Sequence, residues 1–173
     1  MKRLLIVVDY QNDFVTGSLG FTEAERLDHI ISEKIDRYRE NGDIVVFTLD
    51  THDENYLNTQ EGKMLPIEHC LRDSTGWGLY GETGKRLSDS PVFTKDTFGS
   101  VELFDWLRIN TFASIELCGL VLGICVLSNA VMAKAAQPET EIIIDTTATA
   151  GPNVSFDKKV LEVLAGLQIK ILN

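Results

Sequence analysis

The sequence has few of the features that mark nucleic-acid-binding, membrane-spanning or disulfide-stabilised proteins. Lys and Arg number 16 against 26 Asp and Glu, which gives a formal net charge of -10, whereas binding to nucleic-acid phosphates requires clustered Lys and Arg. No apolar run approaches the roughly 18 residues of a membrane span. The 3 cysteines have no regular spacing and do not form a disulfide framework. We therefore expect free thiols and neither a nucleic-acid nor a membrane partner.

The start of the chain does not match a secretory signal. Basic residues precede an apolar stretch in MKRLLIVVD, but this stretch is shorter than the core of about 7–15 residues that a signal peptide needs. We therefore predict a cytoplasmic protein. The chain has 173 residues, 44% of them hydrophobic, which suits one globular domain with a sizeable core over residues 1–173. It contains no internal repeat and no low-complexity segment.

Strand and helix patterns alternate along the chain. This alternation predicts a three-layer, Rossmann-like α/β fold, with a mainly parallel six-stranded sheet and helices on both faces. The region 51–90 is long, Gly-rich and weakly periodic, and such a segment in a compact domain is usually functional. Strands are predicted at 4–9, 43–49, 91–94, 114–119, 141–145 and 167–172, and helices at 22–41, 100–110, 125–137 and 155–164.

Three side-chain patterns refine the helix predictions. Thr22 and Glu25 have the spacing of a capping box at the start of the first helix. Ser100 is a candidate N-cap for the helix over 100–110. Within the first helix, Leu27, Ile30, Ile31, Ile35 and Tyr38 recur at helical spacing and predict one buried face.

Polar and reactive side chains follow the ends of several predicted strands. Asp9 ends the first strand, Asp50 and His52 follow the second, and Lys95 follows the third. Cys125 lies six residues past the fourth strand, at the opening of a helix. Because the carboxyl ends of parallel strands converge on one crevice, these residues are expected to form a single site. An acid, an amine, a thiol and metal-type ligands together favour an enzyme over a binding module.

Cys125 is the candidate nucleophile. A glycine-bearing loop leads to it, and the first turn of a helix lowers the pKa of a thiol because free N–H groups and the helix dipole favour the anion. The same N–H groups could stabilise an oxyanion during acyl transfer. The alternative is that Cys125 is a small buried hydrophobic residue, which is the common fate of a free cysteine.

Asp9 and Lys95 are the candidate partners of this thiol. A carboxylate at the end of a buried strand could accept the thiol proton and later deliver it to a leaving amine. An ammonium group beside a thiol and a carboxylate would favour the thiolate. The alternatives are that Asp9 caps or turns the strand end, and that Lys95 is a solvated surface residue. No histidine is reserved for a Cys-His pair, so Asp9 is the expected proton partner.

Asp50, His52 and His69 are candidate metal ligands. Alternate residues of an extended segment point the same way, so Asp50 and His52 could share an ion. Two imidazoles and a carboxylate suit Zn²⁺, Fe²⁺ or Mn²⁺. The chain has only 3 histidines, and two of them lie in the region 51–90. The third, His29, lies in the amphipathic helix and is interpreted as structural.

These motifs together resemble the isochorismatase-like cysteine hydrolase superfamily. Asp9 in VVDYQNDF, Lys95 in FTKDTFGS and Cys125 in CGLVLGICV resemble its Asp-Lys-Cys triad, and the resemblance spans nearly the whole chain. Asp50 and His52, with His69 in the pair His69–Cys70, resemble the metal ligands of the nicotinamidase-like branch.

The resemblance implies an amidohydrolase that acts through a thioester. Cys125 would attack the amide carbonyl, Asp9 would shuttle the proton, and Lys95 would stabilise the thiolate. The resemblance also implies a cis peptide bond between Leu120 and Val121, with the N–H groups of Val121 and Cys125 as the oxyanion hole.

Further expectations from the resemblance concern the ligands and the assembly. Phe14 and Leu120 would contact the substrate. A divalent cation, zinc by expectation and iron or manganese as alternatives, would orient the ring of nicotinamide. The implied reaction converts nicotinamide to nicotinate and ammonia in NAD salvage, and the implied assembly is a homodimer or homotetramer.

Two departures from the nicotinamidase pattern leave other substrates open. Val121-Leu122-Gly123 replaces the polar Ala-Thr-Asp that nicotinamidases commonly carry, and the segment before His69 lacks their aromatic residue. Trp77 and Tyr80 are candidates for the missing ring. The alternatives are therefore a relative acting on a carbamoyl amide or an isochorismate-type ether, and a catalytically silent binding protein on the same fold.

Overall fold

A six-stranded, fully parallel β-sheet forms the centre of the molecule. The computed structural model describes residues 1–173, and the strands lie in the order β3-β2-β1-β4-β5-β6. This architecture confirms the predicted α/β fold with its six-stranded sheet. The strands are β1 Leu4–Val8, β2 Ile44–Asp50, β3 Val92–Lys95, β4 Ser114–Gly119, β5 Glu141–Thr149 and β6 Lys170–Leu172.

Helices cover both faces of the sheet. Side chains of β1 alternate between two apolar clusters, with Leu4, Ile6 and Val8 on one face and Leu5 and Val7 on the other. Burial of both faces explains why this strand is a continuous apolar run. The helices are α1 Asn12–Val15, α2 Thr22–Glu25, α3 Leu27–Glu40, α4 Gln60–Met64, α5 Gly81–Lys85, α6 Val101–Ile109, α7 Leu127–Ala136 and α8 Val154–Gly166, with a 3₁₀ turn at Tyr56–Asn58 and a π-helical turn at Leu122–Val126.

The helix predicted over residues 22–41 is two helices in the structure. The helices α2 and α3 are separated at Arg26. The predicted capping box is wrong, because Phe21 is the N-cap of α2 and Thr22 is already helical. The apolar side chains of α3 are packed into the core, as predicted. Ser100 is the N-cap of α6, as predicted, and accepts a hydrogen bond from the Leu103 N–H.

The order of the strands creates a crevice between β1 and β4. The chain adds β2 and β3 on one side of β1 and then crosses to β4, so connections leave in opposite directions at this point, where α/β proteins bind ligands. Gly119 ends β4 with φ 104°, and a Cβ there would collide with the Val8 carbonyl oxygen. Glycine therefore allows the close approach of the two strand ends that border the crevice.

The region 51–90 contains short helices and turns rather than a long helix or strand. Backbone hydrogen bonds tie it to the segment after β1, for example from the Asn12 N–H to the Gly78 carbonyl oxygen. No helix in the structure has both the length and the apolar character needed to cross a membrane.

Candidate active site

Four candidate residues meet at the carboxyl edge of the sheet. Asp9 directly follows β1, Asp50 ends β2 and Lys95 ends β3, while Cys125 lies in the π-helical turn after β4. All four side chains are buried. Asp9 has a left-handed backbone with φ 43°, which turns the chain out of β1 at the crevice. The sheet therefore gathers residues that are far apart in the sequence.

The Lys95 ammonium group lies at the centre of this arrangement. Its Nζ is 2.6 Å from Asp9 Oδ2 and 3.1 Å from Asp50 Oδ1. It also lies 3.5 Å from Cys125 Sγ, within donor reach of the sulfur. Asp9 Oδ1 accepts a hydrogen bond of 2.6 Å from the Thr48 hydroxyl. The structure thus brings the predicted acid, amine and thiol together around one positive charge.

Burial and the neighbouring charges determine where the protons lie. Burial raises the pKa of Asp9, and the charge of Lys95 opposes that rise. Burial alone would lower the pKa of Lys95, but the charges of Asp9 and Asp50 raise it above its ordinary value. Lys95 is therefore an ammonium group at neutral pH.

The protonation state of Cys125 differs from the thiolate that the sequence predicts. Burial raises the pKa of Cys125 well above its ordinary value, the Asp9 carboxylate raises it further, and Lys95 only partly opposes this. Cys125 lies inside the π-helical turn rather than at the first turn of a helix, and desolvation is the largest influence on its pKa. The sulfur carries its proton in this state, and Asp9 is the adjacent group that can accept it.

A second cluster lies on the other side of Asp50. Asp50 Oδ2 is 3.2 Å from His52 Nε2 and 3.4 Å from His69 Nε2. The candidate ligand atoms of the three residues all lie within 4.8 Å of one another, and all three side chains are buried. His69 Nδ1 lies 2.8 Å from the Ile67 carbonyl oxygen, which fixes that nitrogen as the donor. Nε2 is therefore the ring nitrogen of His69 that remains to contact Asp50.

The donor set of this cluster fits a divalent transition metal. Two imidazole nitrogens and one carboxylate oxygen converge, which is the chemistry that Zn²⁺, Fe²⁺ and Mn²⁺ accept. Burial opposes ionisation of Asp50, but hydrogen bonds to His52 and His69 and the charge of Lys95 hold its pKa below the usual range. The site therefore presents an ionised ligand, as metal binding requires.

Glu61 is a further member of this cluster that the sequence does not predict. Its Oε1 lies 3.8 Å from the Nε2 atoms of both His52 and His69. Burial raises the pKa of Glu61, and the charge of Asp50 raises it further. Glu61 lies on the short helix α4, and no local pattern around it indicates a ligand. Only the tertiary packing of α4 against the two histidines reveals it.

Tyr56 packs against both histidine rings. Its ring centroid lies 4.6 Å from that of His52 and 4.9 Å from that of His69. The side chain is fully buried, and its hydroxyl donates a hydrogen bond of 2.9 Å to the Leu65 carbonyl oxygen. Tyr56 therefore restricts the orientations of both imidazoles, which is how outer residues support metal ligands.

Phe14 and Leu120, the predicted substrate-contacting residues, are both buried. The Phe14 ring is buried 5.6 Å from the His69 ring, and Leu120 is fully buried. The peptide bond between Leu120 and Val121 is cis, as expected. Neither Phe14 nor Leu120 lines the cavity of about 860 Å³ that opens beside His52 and Glu61. Their contact with substrate stays a prediction.

The aromatic candidates Trp77 and Tyr80 also lie outside that cavity. Trp77 Nε1 donates a hydrogen bond of 2.8 Å to the Thr51 hydroxyl, and the Tyr80 hydroxyl donates one of 2.8 Å to Glu25. Tyr56 and Phe98 are instead the aromatic residues that line the cavity, and of these two Phe98 is exposed.

A cavity of about 860 Å³ opens next to the two clusters. His52 and Glu61 line it on the metal-cluster side, and Ile124, which precedes Cys125, lines it on the thiol side. Cys125 itself is 5% exposed and is not one of the lining residues. None of the lining residues is Lys or Arg, whereas three are acidic. The lining residues are Thr51, His52, Asp53, Tyr56, Thr59, Gln60, Glu61, Met64, Leu65, Asp96, Thr97, Phe98 and Ile124.

The chain is similar to known proteins over most of its length. Residues 3–172 match the family model described as the isochorismatase domain. The chain is 32% identical over 165 residues to an isochorismatase family protein, PncA, of Bacillus subtilis strain 168, covering 88% of each protein.

Two solved structures share the fold over essentially their whole length. The crystal structure of nicotinamidase/pyrazinamidase PncA from Bacillus subtilis has a TM-score of 0.88 at 27% identity and covers 100% of both chains. The crystal structure of the pyrazinamidase of Pyrococcus horikoshii in complex with zinc has a TM-score of 0.87 at 26% identity, covering 100% of this chain and 99% of that one.

Proposed function

The chain belongs to the isochorismatase domain family, and we propose that it is an amide-cleaving cysteine hydrolase that converts nicotinamide to nicotinate and ammonia. The observation that carries this proposal is the position of Lys95, whose ammonium group reaches Asp9, Asp50 and Cys125 at once. We further propose that residues 1–173 form a single hydrolase domain, that it assembles as a dimer or tetramer, and that it serves cytoplasmic NAD salvage.

The proposed reaction begins with transfer of the Cys125 proton to Asp9. The sulfur then forms a bond to the amide carbonyl carbon, and the N–H groups of Val121 and Cys125 would stabilise the resulting oxyanion. Asp9 returns the proton to the amide nitrogen as the carbon–nitrogen bond breaks, so that ammonia leaves and a thioester remains.

Water completes the reaction by attacking the thioester. Asp9 accepts a proton from this water, the carbon–sulfur bond breaks, and the sulfur regains its proton as the carboxylic acid forms. Throughout the cycle Lys95 keeps its positive charge, because the carboxylates of Asp9 and Asp50 raise its pKa. It therefore stabilises the sulfur anion during the step in which Asp9 is protonated.

The metal-type cluster supports a metal-dependent member of the family. Asp50, His52 and His69 would hold the cation, and Glu61 is close enough to both histidines to assist. When bound, a divalent cation would supply a Lewis acid that can bind a ring nitrogen of the substrate. The similarity to a pyrazinamidase solved with zinc supports zinc as the first metal to test.

The charge of the cavity favours a neutral amide over an anionic substrate. Asp53, Glu61 and Asp96 line the cavity, and no Lys or Arg side chain faces them there. A dicarboxylate such as an isochorismate-type ether would be repelled by these groups, whereas nicotinamide carries no charge. The carboxylate product is also repelled, which favours its release.

A second candidate is hydrolysis of another small amide, such as a carbamoyl amide. Val121-Leu122-Gly123 is apolar, and Leu122 is buried in the core rather than presented to the cavity. This loop therefore lacks the polar groups that nicotinamidases commonly carry. A panel of nicotinamide, a carbamoyl amide and an anionic ether separates the candidates by their kcat/KM values.

The decisive experiment measures ammonia release from nicotinamide by the zinc-loaded protein and two cysteine variants. Cys125→Ala should lower kcat on the order of 10⁶-fold, the scale produced by loss of a hydrolase nucleophile. Cys118→Ala is the matched control, because Cys118 is also buried but points into the core on β4. Retained turnover in Cys125→Ala would contradict the nucleophile. Turnover of another amide in place of nicotinamide would retain the class and change the substrate.

A further inference from the structure

The strand β1 ends at Val8, which pairs with Thr48, whereas β2 continues for two more residues to Asp50. The last backbone hydrogen bond between them runs from the Asp9 N–H to the Thr48 carbonyl oxygen at 3.2 Å. Asp9 then turns the chain away with φ 43°, and the N–H of Gln11, two residues further on, donates a hydrogen bond of 2.8 Å back to the Asp9 carbonyl oxygen. The N–H and carbonyl groups of Asp50, which ends β2, therefore have no strand partner on this side.

The side-chain amide of Gln11 takes the place of the missing strand. Its Oε1 accepts a hydrogen bond of 2.8 Å from the Asp50 N–H, and its Nε2 donates one of 2.9 Å to the Asp50 carbonyl oxygen. The same Nε2 donates to the Trp77 carbonyl oxygen at 2.8 Å. Gln11 is fully buried. A primary amide has the donor and the acceptor of a peptide group, so it can continue the β-ladder where the backbone cannot.

Asp50 is the residue that joins the two halves of the site. Oδ1 of its carboxylate contacts Lys95 Nζ at 3.1 Å, while Oδ2 contacts His52 Nε2 at 3.2 Å and His69 Nε2 at 3.4 Å. The direction of this carboxylate depends on how the Asp50 backbone is held. We propose that Gln11 is a positioning residue that fixes Asp50 for metal binding. This inference rests on the proposed function, because it takes Asp50 as a ligand.

Glutamine is the side chain whose chemistry meets this requirement. Glutamate has the same shape and keeps an acceptor for the Asp50 N–H, but its carboxylate would face the carbonyl oxygens of Asp50 and Trp77 without a hydrogen to donate. Methionine fills a similar volume and makes none of the three hydrogen bonds. Gln11→Glu and Gln11→Met therefore remove the hydrogen bonds that hold the Asp50 backbone in different ways.

The test is a competition titration of Zn²⁺ against a chromophoric chelator, with the full chain. We expect zinc affinity to fall about 10–100-fold in Gln11→Met and in Gln11→Glu, the range typical of residues that orient metal ligands. Asn12→Ala is the matched control. Asn12 is the next residue, and its Nδ2 donates to the Thr75 carbonyl oxygen at 2.7 Å, but its side chain does not touch Asp50. Its zinc affinity should equal that of the unaltered chain.

A purely structural role for Gln11 would give a different result. Thermal unfolding would then occur at a lower temperature, while zinc affinity and kcat of the folded variants would stay unchanged, and the inference would be overturned. Lack of zinc binding by the unaltered chain would also overturn it. If Gln11→Met does not fold, the isosteric Gln11→Glu decides.

The outcome is separable from that of the proposed function. If zinc affinity depends on Gln11 but the protein does not hydrolyse nicotinamide, the positioning role of Gln11 holds and nicotinamide is rejected as the substrate.

Discussion

Replacing Lys95 with methionine should destabilise the protein strongly at neutral pH. Met has a similar length and fits an apolar setting, but it removes the positive charge between Asp9 and Asp50. Both carboxylates are buried, with 0% and 4% exposure. The variant would therefore leave two like charges in the interior without a counter-ion.

The expected loss follows from the distances in the ion cluster. At an effective dielectric constant of about 20, contacts of 2.6 Å and 3.1 Å correspond to gross attractions of about 6 and about 5 kcal/mol. Most of this attraction is offset by the desolvation of the three groups. Removing one partner of a buried pair leaves that desolvation uncompensated, so we expect the free energy of unfolding to fall by about 3–5 kcal/mol.

The loss should shrink as the pH falls. Burial raises the pKa of Asp9, and Lys95 is the group that counteracts this rise. Without Lys95, the folded-state pKa lies still further above the value of the unfolded chain, about 3.9. Between those two pKa values the folded state binds more protons than the unfolded state, so stability decreases as pH rises through that window. The penalty is therefore smallest below the unfolded value, where the carboxyl group is protonated in both states, and largest above the raised pKa of the folded state.

Urea unfolding at several pH values measures this effect. Lys63→Met is the matched control, because Lys63 is exposed on α4 and forms no ion pair. The double variant Asp9→Asn with Lys95→Met should be more stable than Lys95→Met alone at pH 7, because it removes the stranded charge. Equal stability of Lys95→Met and Lys63→Met, or strictly additive effects in the double variant, would show that Lys95 does not compensate the buried carboxylates.

Two further predictions concern the thiol and the metal cluster. The rate of Cys125 alkylation by iodoacetamide should keep rising above pH 8.5, the usual thiol pKa, because burial and Asp9 raise the pKa of Cys125. Asp9→Asn should shift this rate profile to lower pH. A plateau below pH 8 in the unaltered protein would contradict the prediction. Zinc at about 100 times its Kd should raise the free energy of unfolding by about 2.7 kcal/mol and thereby raise the unfolding temperature, and a chelator should reverse both. Identical unfolding curves with zinc and with chelator would count against Asp50, His52 and His69 as ligands.

Much of the sheet could be predicted because strand formation here depends on local sequence. The run from Leu4 to Val8 is apolar at every position because both of its faces are buried. Helix boundaries were less predictable. The break at Arg26 interrupts a continuous apolar pattern, and Phe21 rather than Thr22 is the N-cap. The turn geometry at that end is not encoded by the spacing of apolar residues.

The region 51–90 shows why part of the site could not be predicted. Its conformation depends on distant partners, including the Asp13 carboxylate, which accepts a hydrogen bond of 2.7 Å from the Cys70 N–H. Glu61 joins the histidine cluster only because α4 packs there. Local pattern recognition does not contain such contacts. The peptide-like role of the Gln11 side chain likewise depends on the turn at Asp9.

The side chains at the ends of the strands can be identified from the amino-acid order, because apolar runs mark the strands and polar residues follow them. How those side chains act on one another depends on the folded arrangement. It brought Lys95 within 2.6 Å of Asp9 and buried Cys125 so deeply that its pKa rises. Distance and desolvation set the charges of a site, and both arise from contacts between segments that are remote along the chain.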